Sequence, residues 1–435
     1  MGNGATEQSR LTPSETRDAL ELFNWSAGLR TFYDSVCGGT TFVFVAFALS
    51  LGLPKERMGL ITSVASVACV AQMLSLALTN YVRDKKAFVL SVGLAEPVLV
   101  IAMVLSVPFL PRWMRLGALA GAVFFAAASL HLTRPMADNW VATVIPAGLR
   151  GRYLGRRFQA ISACTIISTL IAGYVAERVD KSNSFGLGCI LAVGGLFGIF
   201  SILALRGASM PALSFAARVS RRDLVKVFRS TEFRQYLYGT LIYNIPFTVA
   251  VPYYQVFNLR VLQMRESVIA LMMSGYFVTK ILTTPVLGRY ADRKGARWTM
   301  FLFAPIYAAF FAMFVLSVPG RIWPVVVAWT VVGMADGAYG VALTSALYAT
   351  VPSSLSRPAY FAVANLATIG IFAIGSLAAI PILHALRGVS LSVGPLVLGQ
   401  FHCFYGLCAL AMVGAAFGAG FMPARREARR SCGDS

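Results

Sequence analysis

Runs of twenty or more mostly apolar residues, separated by short polar stretches, recur along the whole chain. An α-helix rises about 1.5 Å per residue, so about 20 apolar residues cross about 30 Å of hydrocarbon. On that measure the pattern predicts spans at 26–52, 58–80, 87–109, 116–146, 156–178, 185–206, 235–259, 266–288, 297–318, 322–350, 358–385 and 394–422. The fold class expected is all-α and polytopic, with twelve transmembrane helices that satisfy their own backbone hydrogen bonds inside the bilayer. Ahead of the first span, residues 12–24 read as an interfacial helix. Thr12 and Glu15 have capping-box spacing, Pro13 sits at the first helical position, and Ala19, Leu22 and Phe23 make a short apolar stripe.

Composition agrees with the pattern. Hydrophobic residues make up 57% of the 435, and only 13% are charged, against roughly 25% in soluble domains. A soluble protein of this character would expose large apolar patches. The net charge of +20 would point to nucleic acid in a soluble chain. Here no run combines basic residues with interleaved aromatics, so no nucleic-acid partner is expected. The seven cysteines are scattered, without CxxC spacing, and the three histidines (131, 384 and 402) fall on different spans. No metal and no cofactor are expected. The polar first 24 residues carry no cleavable leader pattern.

The basic residues supply an orientation instead. Twelve spans place both tails and the connections 81–86, 147–157, 207–234, 289–296 and 351–357 on one side. That side holds 25 Lys and Arg, the opposite loops hold 10, and Arg30, Arg134 and Lys280 lie inside spans. The positive-inside rule then makes both tails cytoplasmic.

The longest connection, 207–234, divides six spans from six, and local echoes cross it. Phe32-Tyr33-Asp34 matches Ile242-Tyr243-Asn244, and Tyr81 before a basic run matches Tyr290 before another. Ala142-Thr143-Val144 with Arg150 and Tyr153 matches Ala349-Thr350-Val351 with Arg357 and Tyr360. Arg17-Asp18 with Phe23 is echoed by Arg222-Asp223 with Phe228. All four lie at offsets of 205–210 residues. The chain is expected to divide into a tail with the interfacial helix (1–25), a six-helix bundle (26–206), a basic linker (207–234), a second six-helix bundle (235–422) and a basic tail (423–435). Such duplication is typical of carriers that rock two bundles around a midplane site.

Residues Gly288-Arg289-Tyr290-Ala291-Asp292-Arg293-Lys294-Gly295-Ala296-Arg297 resemble the G-x-x-x-D-R-x-G-R-[RK] signature of the major facilitator superfamily, in one of the two places that family carries it. Gly288 would let two helices approach, Asp292 would cap or pair, Gly295 would turn the chain, and Arg293 and Arg297 would anchor it. In the family this loop latches helices in the outward-facing state. The other place, Thr79-Asn80-Tyr81-Val82-Arg83-Asp84-Lys85-Lys86, lacks the glycines and has Arg83 where the acid belongs. Arg150-Gly151-Arg152-Tyr153-Leu154-Gly155 resembles the R-G-R-Y-x-G loop of some bacterial members.

Ionisable residues inside spans are costly and often functional. They are Arg30 and Asp34 in span 1, Glu96 in span 3, Arg134 and Asp138 in span 4, Lys280 in span 8 and Asp336 in span 10. The two Arg–Asp pairs are four residues apart, so each shares a helix face. The resemblance implies that spans 1, 4, 7 and 10 line a central cavity, where the pairs would meet and cross-pair. They would then either clip span 1 to span 4 or supply a titrating carboxylate and a substrate-binding guanidinium. Asp34 is the first choice for the coupling acid, since its repeat mate Asn244 is neutral, and Asp336 is the second. An Arg134 guanidinium making paired hydrogen bonds would not be replaceable by lysine. Glu96 precedes Pro97 and has a structural reading, and Lys280 is near enough to a span end to snorkel. Asn244, Tyr253, Tyr254, Gln255 and Asn258 give span 7 a polar, aromatic face that would line the cavity.

The resemblance implies a secondary transporter moving a small polar or ionic solute by alternating access, with a proton or solute gradient as the energy source. It would work as a monomer in a lipid bilayer, most naturally a bacterial inner membrane. There is no G-x-x-x-x-G-K-[ST] loop, so no ATPase subunit is implied, and no GxSxG or HExxH motif marks an enzyme. The alternative is a non-transporting relative that serves as an assembly factor or receptor for a membrane complex.

Overall fold

In a computed structural model, residues 12–78, 81–145, 150–210, 227–350, 357–393 and 396–423 are described. Most of the basic linker, Thr79 and Asn80, and the outer parts of both tails lie outside the described residues.

The first passage is α1 (Pro13–Cys37) followed by α2 (Phe42–Ser50). The expected capping box is present: Thr12 Oγ1 accepts from the Glu15 N–H, and the Thr12 N–H donates to the Glu15 carboxylate at 2.8 Å. The helix it starts does not stop at residue 25. A separate interfacial helix is therefore corrected to the first three turns of α1. The reason is packing: Ala19 and Phe23 are buried against Met136, Trp140 and Leu205, so the apolar stripe meets protein. Phe23 lies edge-on to Trp140 with centroids 5.3 Å apart. Two glycines, Gly38 and Gly39, then interrupt the passage. Thr41 restarts it by accepting from the Phe44 N–H and donating to the Val36 carbonyl at 2.8 Å.

The second passage comprises α3 (Met58–Val67), a 3₁₀ turn over Ala68–Val70 and α4 (Ala71–Leu78). Next come α5 (Lys85–Ser106), α6 (Arg112–Val144), α7 (Arg150–Glu177) and α8 (Ser184–Ala204). After the linker, α9 (Thr231–Ala250) continues through a 3₁₀ turn containing Pro252 into a π turn over Phe257–Val261. The remaining helices are α10 (Glu266–Lys294), α11 (Ala296–Val315), α12 (Trp323–Thr350), α13 (Arg357–Ala385) and α14 (Gln400–Ala416). A short antiparallel hairpin, β1 (Leu391–Val393) with β2 (Leu396–Leu398), precedes α14. It takes up the first residues of what the hydropathy pattern assigns to the last span.

Among the described residues, ten helical stretches are long and apolar enough to cross a membrane. The passages over 58–78 and 231–261 are helical but broken by their 3₁₀ and π turns. In the N-terminal half α1 packs on α7 and α8, α5 on α6 and α8, and α3 and α4 on α6. In the C-terminal half α9 packs on α13 and α14, α11 on α12 and α14, and α10 on α12. Each contact in one half has its counterpart in the other. Between the halves, α7 packs on α10 and α3 on α13.

The motif at 288–297 closes α10 and opens α11. A Cβ on Gly288 would meet Val341 of α12 at 3.3 Å, so this position carries a close helix approach. Gly295 has φ +84° and ψ 167°, a conformation nearly confined to glycine. Arg293 and Arg297 are exposed, and the side chain of Asp292 lies outside the described residues. Of the 150–155 motif, the Tyr153 hydroxyl donates to the Leu20 carbonyl of α1 at 3.1 Å. The side chains of Arg150, Arg152 and Gly155's neighbours Leu154 and Arg156 lie outside the described residues. In the other basic connection, Asp84 caps α5 by accepting from the Ala87 N–H at 2.9 Å.

Candidate functional site

Two charge clusters occupy the interior, one in each half. In the N-terminal half the centre is Arg30, near the middle of the first passage. Its two terminal nitrogens donate to the two oxygens of Glu96 on α5, at 2.6 and 2.8 Å. Its Nε donates to Asp34, one turn along α1, at 2.9 Å. Its guanidinium also lies 4.7 Å from the centre of the Tyr33 ring. A planar five-donor fork is the side chain suited to this arrangement. Glu96 is buried, whereas the Asp34 side chain is 57% exposed.

The expected cross-pairing of Arg30/Asp34 with Arg134/Asp138 is not what the structure shows. Arg30 turns to Glu96 instead. Arg134 makes a longer contact, 3.7 Å from its Nε to Asp138 on its own helix, and both side chains are well exposed, 60% and 74%. The forked guanidinium is thus Arg30's rather than Arg134's. Glu96, which has a structural reading beside Pro97, is buried and supplies the second carboxylate of the Arg30 cluster. Nothing in the local sequence links positions 30 and 96, since only the packing of α1 and α5 against α8 brings them together.

In the C-terminal half Lys280 of α10 reaches Asp336 of α12 at 2.6 Å, and the Tyr276 hydroxyl donates to the same carboxylate oxygen. Lys280 therefore pairs inward and does not snorkel. Tyr276 precedes Lys280 by four residues, so both project from one face of α10. That spacing was a readable signal for Tyr276, which sequence reasoning passed over. Asn244 donates to the Tyr339 hydroxyl and to the Thr240 carbonyl, both at 2.7 Å. Asp34's repeat mate is thus a buried hydrogen-bonding residue on α9.

Tyr254 does not line an open polar face. It is buried among Phe310, Phe314, Trp329 and Tyr405, with ring centroids 5.3–6.0 Å away. The turn from α-helix to 3₁₀ and π geometry beyond Ala250 rotates this part of the passage into the C-terminal bundle. Tyr253 also departs from the expected face: its hydroxyl donates to the Glu56 carbonyl at 2.6 Å, across the boundary between the halves. Among the described residues no group of three or more His, Cys, Asp or Glu is placed to hold a metal ion.

The bundle has a tail end, where α1 begins and α8 ends, and a far end, where α7 ends and α10 begins. Among the described residues, four hydrogen bonds and three ion pairs join the halves toward the far end. Charged groups facing lipid would be costly, so the exposed Asp34, Arg134 and Asp138 face water. The arrangement can bind a charged or polar group at Asp34 and can change the charge of that carboxylate by one proton.

No family model and no curated protein sequence matches the chain. Solved structures do. A nucleoside transporter, NupG, matches with a TM-score of 0.71 at 13% identity, covering 92% of this chain and 99% of its own. A bacterial homologue of the human lysosomal transporter Spinster, described as inward-facing and unoccupied, gives 0.67 at 14%, covering 95% and 97%. A D-xylose–proton symporter gives 0.66 at 14%, covering 94% and 98%. Likeness at such low identity, over almost the full length of each chain, is likeness of fold, and the chain has the all-α fold of the major facilitator transporters, as the motif at 288–297 implied.

Proposed function

We propose that the protein is a secondary active transporter that carries a small polar or ionic solute by alternating access, driven by a proton or solute gradient. The observation that carries this reading is the exposed carboxylate of Asp34, set near mid-passage beside a guanidinium whose fork is occupied by Glu96. The halves are joined by hydrogen bonds and ion pairs at the far end, which is what one state of a carrier requires. The transport roles of the solved relatives support the reading.

On this account the broken passages over 58–78 and 231–261 are spans too, giving twelve. The halves 26–206 and 235–422 are the rocking units, and their matching helix contacts support that division. Both tails are cytoplasmic, following the excess of basic residues on their side. The natural setting is a bacterial inner membrane, and one chain is the working unit. Asp34 is the coupling acid. Arg134, Asp138, Asn244 and the Lys280–Asp336 pair line the path, with Asp336 second in line for coupling. Gly288, Asp292, Arg293, Gly295 and Arg297 form the latch of the opposite state.

The test is Asp34→Asn, which keeps the shape and mimics the protonated acid. In proteoliposomes it should abolish accumulation against a gradient while counterflow exchange persists. Accumulation equal to wild type would make Asp34 a structural partner of Arg30 and pass the role to Asp336.

A further inference from the structure

Buried polar side chains are nearly always hydrogen-bonded, because each unpaired one loses its hydration without compensation. Among the described residues seven buried side-chain polar atoms have no protein partner, and six of them belong to the C-terminal half. Four of the six gather in one place: the Tyr254 and Tyr405 hydroxyls, the Trp329 Nε1 and the Asn258 Oδ1. None of these residues is more than 8% exposed. The Tyr254 ring lies 6.0 Å from that of Tyr405 and 5.3 Å from that of Trp329, between centroids. Asn258 follows Tyr254 by four residues, and its amide donates to Gln255 at 3.3 Å. A phenol both gives and accepts a hydrogen bond, an indole N–H only gives, and an amide oxygen only accepts. An anion would satisfy only the donors and a cation only the acceptors. Water satisfies both.

The group lies between the Lys280–Asp336 pair and the far end. Helix α12 starts at the far end with Trp323, so Trp329 is about 9 Å along it and Asp336 about 20 Å. Tyr405 is about 8 Å along α14, which starts at the same end with Gln400. Tyr276 joins the two levels: its ring lies 5.7 Å from Trp329, and its hydroxyl donates to Asp336. Toward the far end, Phe257 of the π turn touches Tyr405 and His402, with centroids 5.2 and 5.4 Å away. The charged residues of α9 and α11 (Glu232, Arg234 and Arg297) all sit in the first turn at the tail end, and α14 has no Asp, Glu, Lys or Arg. Lys280, 2.6 Å from Asp336, is therefore the charged partner that governs this carboxylate.

We propose that these four groups hold a file of ordered waters inside the C-terminal bundle, and that the file carries protons between the far side and Asp336 without passing between the halves. A proton enters at the far side as hydrated water. Each water or phenol along the file accepts one proton and gives up its own. The last proton forms an O–H bond on the Asp336 carboxylate. Lys280 keeps its proton and loses its ionic partner, so Asp336 fills only when that pair separates. The ammonium thus keeps the file from conducting freely. The proposal rests on the carrier reading only for the use made of the proton, and its test needs no solute.

X-ray radiolytic footprinting of wild type in lipid nanodiscs marks side chains that lie against ordered water. Tyr254, Trp329 and Tyr405 should label severalfold faster than Phe310 and Phe314, which are buried in the same cluster. Equal labelling of all five would overturn the proposal. Proton access is read separately, from the infrared carboxyl band that Asp336→Asn removes, in liposomes holding the protein in one orientation. Acidifying the far side should raise this band, and Tyr254→Phe with Tyr405→Phe should slow the rise at least about tenfold, the effect of a barrier higher by about 1.4 kcal/mol. Acidifying the tail side should give the same rate in both proteins. Trp329→Phe is the second variant, should the double one fail to fold. A far-side rise unchanged by these substitutions would overturn the path. So would a higher thermal midpoint in the Phe variants, since removing a dry, unpaired hydroxyl relieves the fold and removing a hydrated one does not. A protein that moves no solute would still pass or fail each of these tests.

Discussion

Arg30 holds two carboxylates at once, and their surroundings differ. Glu96 is buried and takes both terminal nitrogens, while Asp34 takes only the Nε and stays open to water. Removing one partner of a buried pair leaves an uncompensated charge, at a cost of about 3–5 kcal/mol, whereas exposed pairs contribute about 0–1 kcal/mol. Glu96→Gln should therefore lower the thermal midpoint of the purified protein strongly, while Asp138→Asn should barely move it. Equal shifts in a melting experiment would contradict the division into a structural and an exposed pair. Arg30→Lys should fail where Arg134→Lys is tolerated, because only Arg30 uses the guanidinium fork. The sequence showed each pair's four-residue spacing, and so a shared helix face was legible, while the expected cross-pairing gave way to Arg30–Glu96. The bonds 30–96 and 280–336 span 66 and 56 residues. No periodicity along one helix carries information about which neighbour it meets.

At the scale of helices, hydropathy located most unbroken passages to within four residues, while α7 begins and α10 ends six residues outside the expected spans. Thus α12 and α13 begin and end within one residue of the expected spans. It failed where apolar residues serve something other than a straight span. The stripe of Ala19 and Phe23 packs against Trp140, not a membrane surface. The polar face expected along 244–258 is split, because helix geometry changes beyond Ala250 and sends Tyr254 into an aromatic cluster. Glycines were more telling. Gly295 was expected to turn the chain, and its φ of +84° does so. Gly295→Ala should cost about 1–3 kcal/mol of local strain and displace the start of α11. The check is a lower thermal midpoint together with slower transport. A variant as stable as wild type would show that the connection relaxes without strain.

Over the whole molecule, the fold came from a short motif and a pattern of apolar runs, and the solved relatives agree with it over nearly their full lengths. Orientation rests on the distribution of basic residues. An impermeant thiol reagent applied to intact cells should label Ser182→Cys but not Arg229→Cys until the membrane is opened, both in a cysteine-free background. The reverse pattern would invert the topology. The solute itself was not legible in the sequence, because recognition depends on how a few side chains from both halves converge.

The most direct measurement of the central claim is solute accumulation by the purified protein in liposomes under an imposed proton gradient. The panel should include nucleosides, pentoses, short peptides, amino acids and small inorganic ions. The account predicts that at least one polar or ionic solute accumulates, that a protonophore collapses the accumulation, and that Asp34→Asn does not support it. If folded wild-type protein moves none of these solutes, by accumulation or by exchange, and purifies with a stable protein partner, the protein is an assembly factor or receptor and not a carrier.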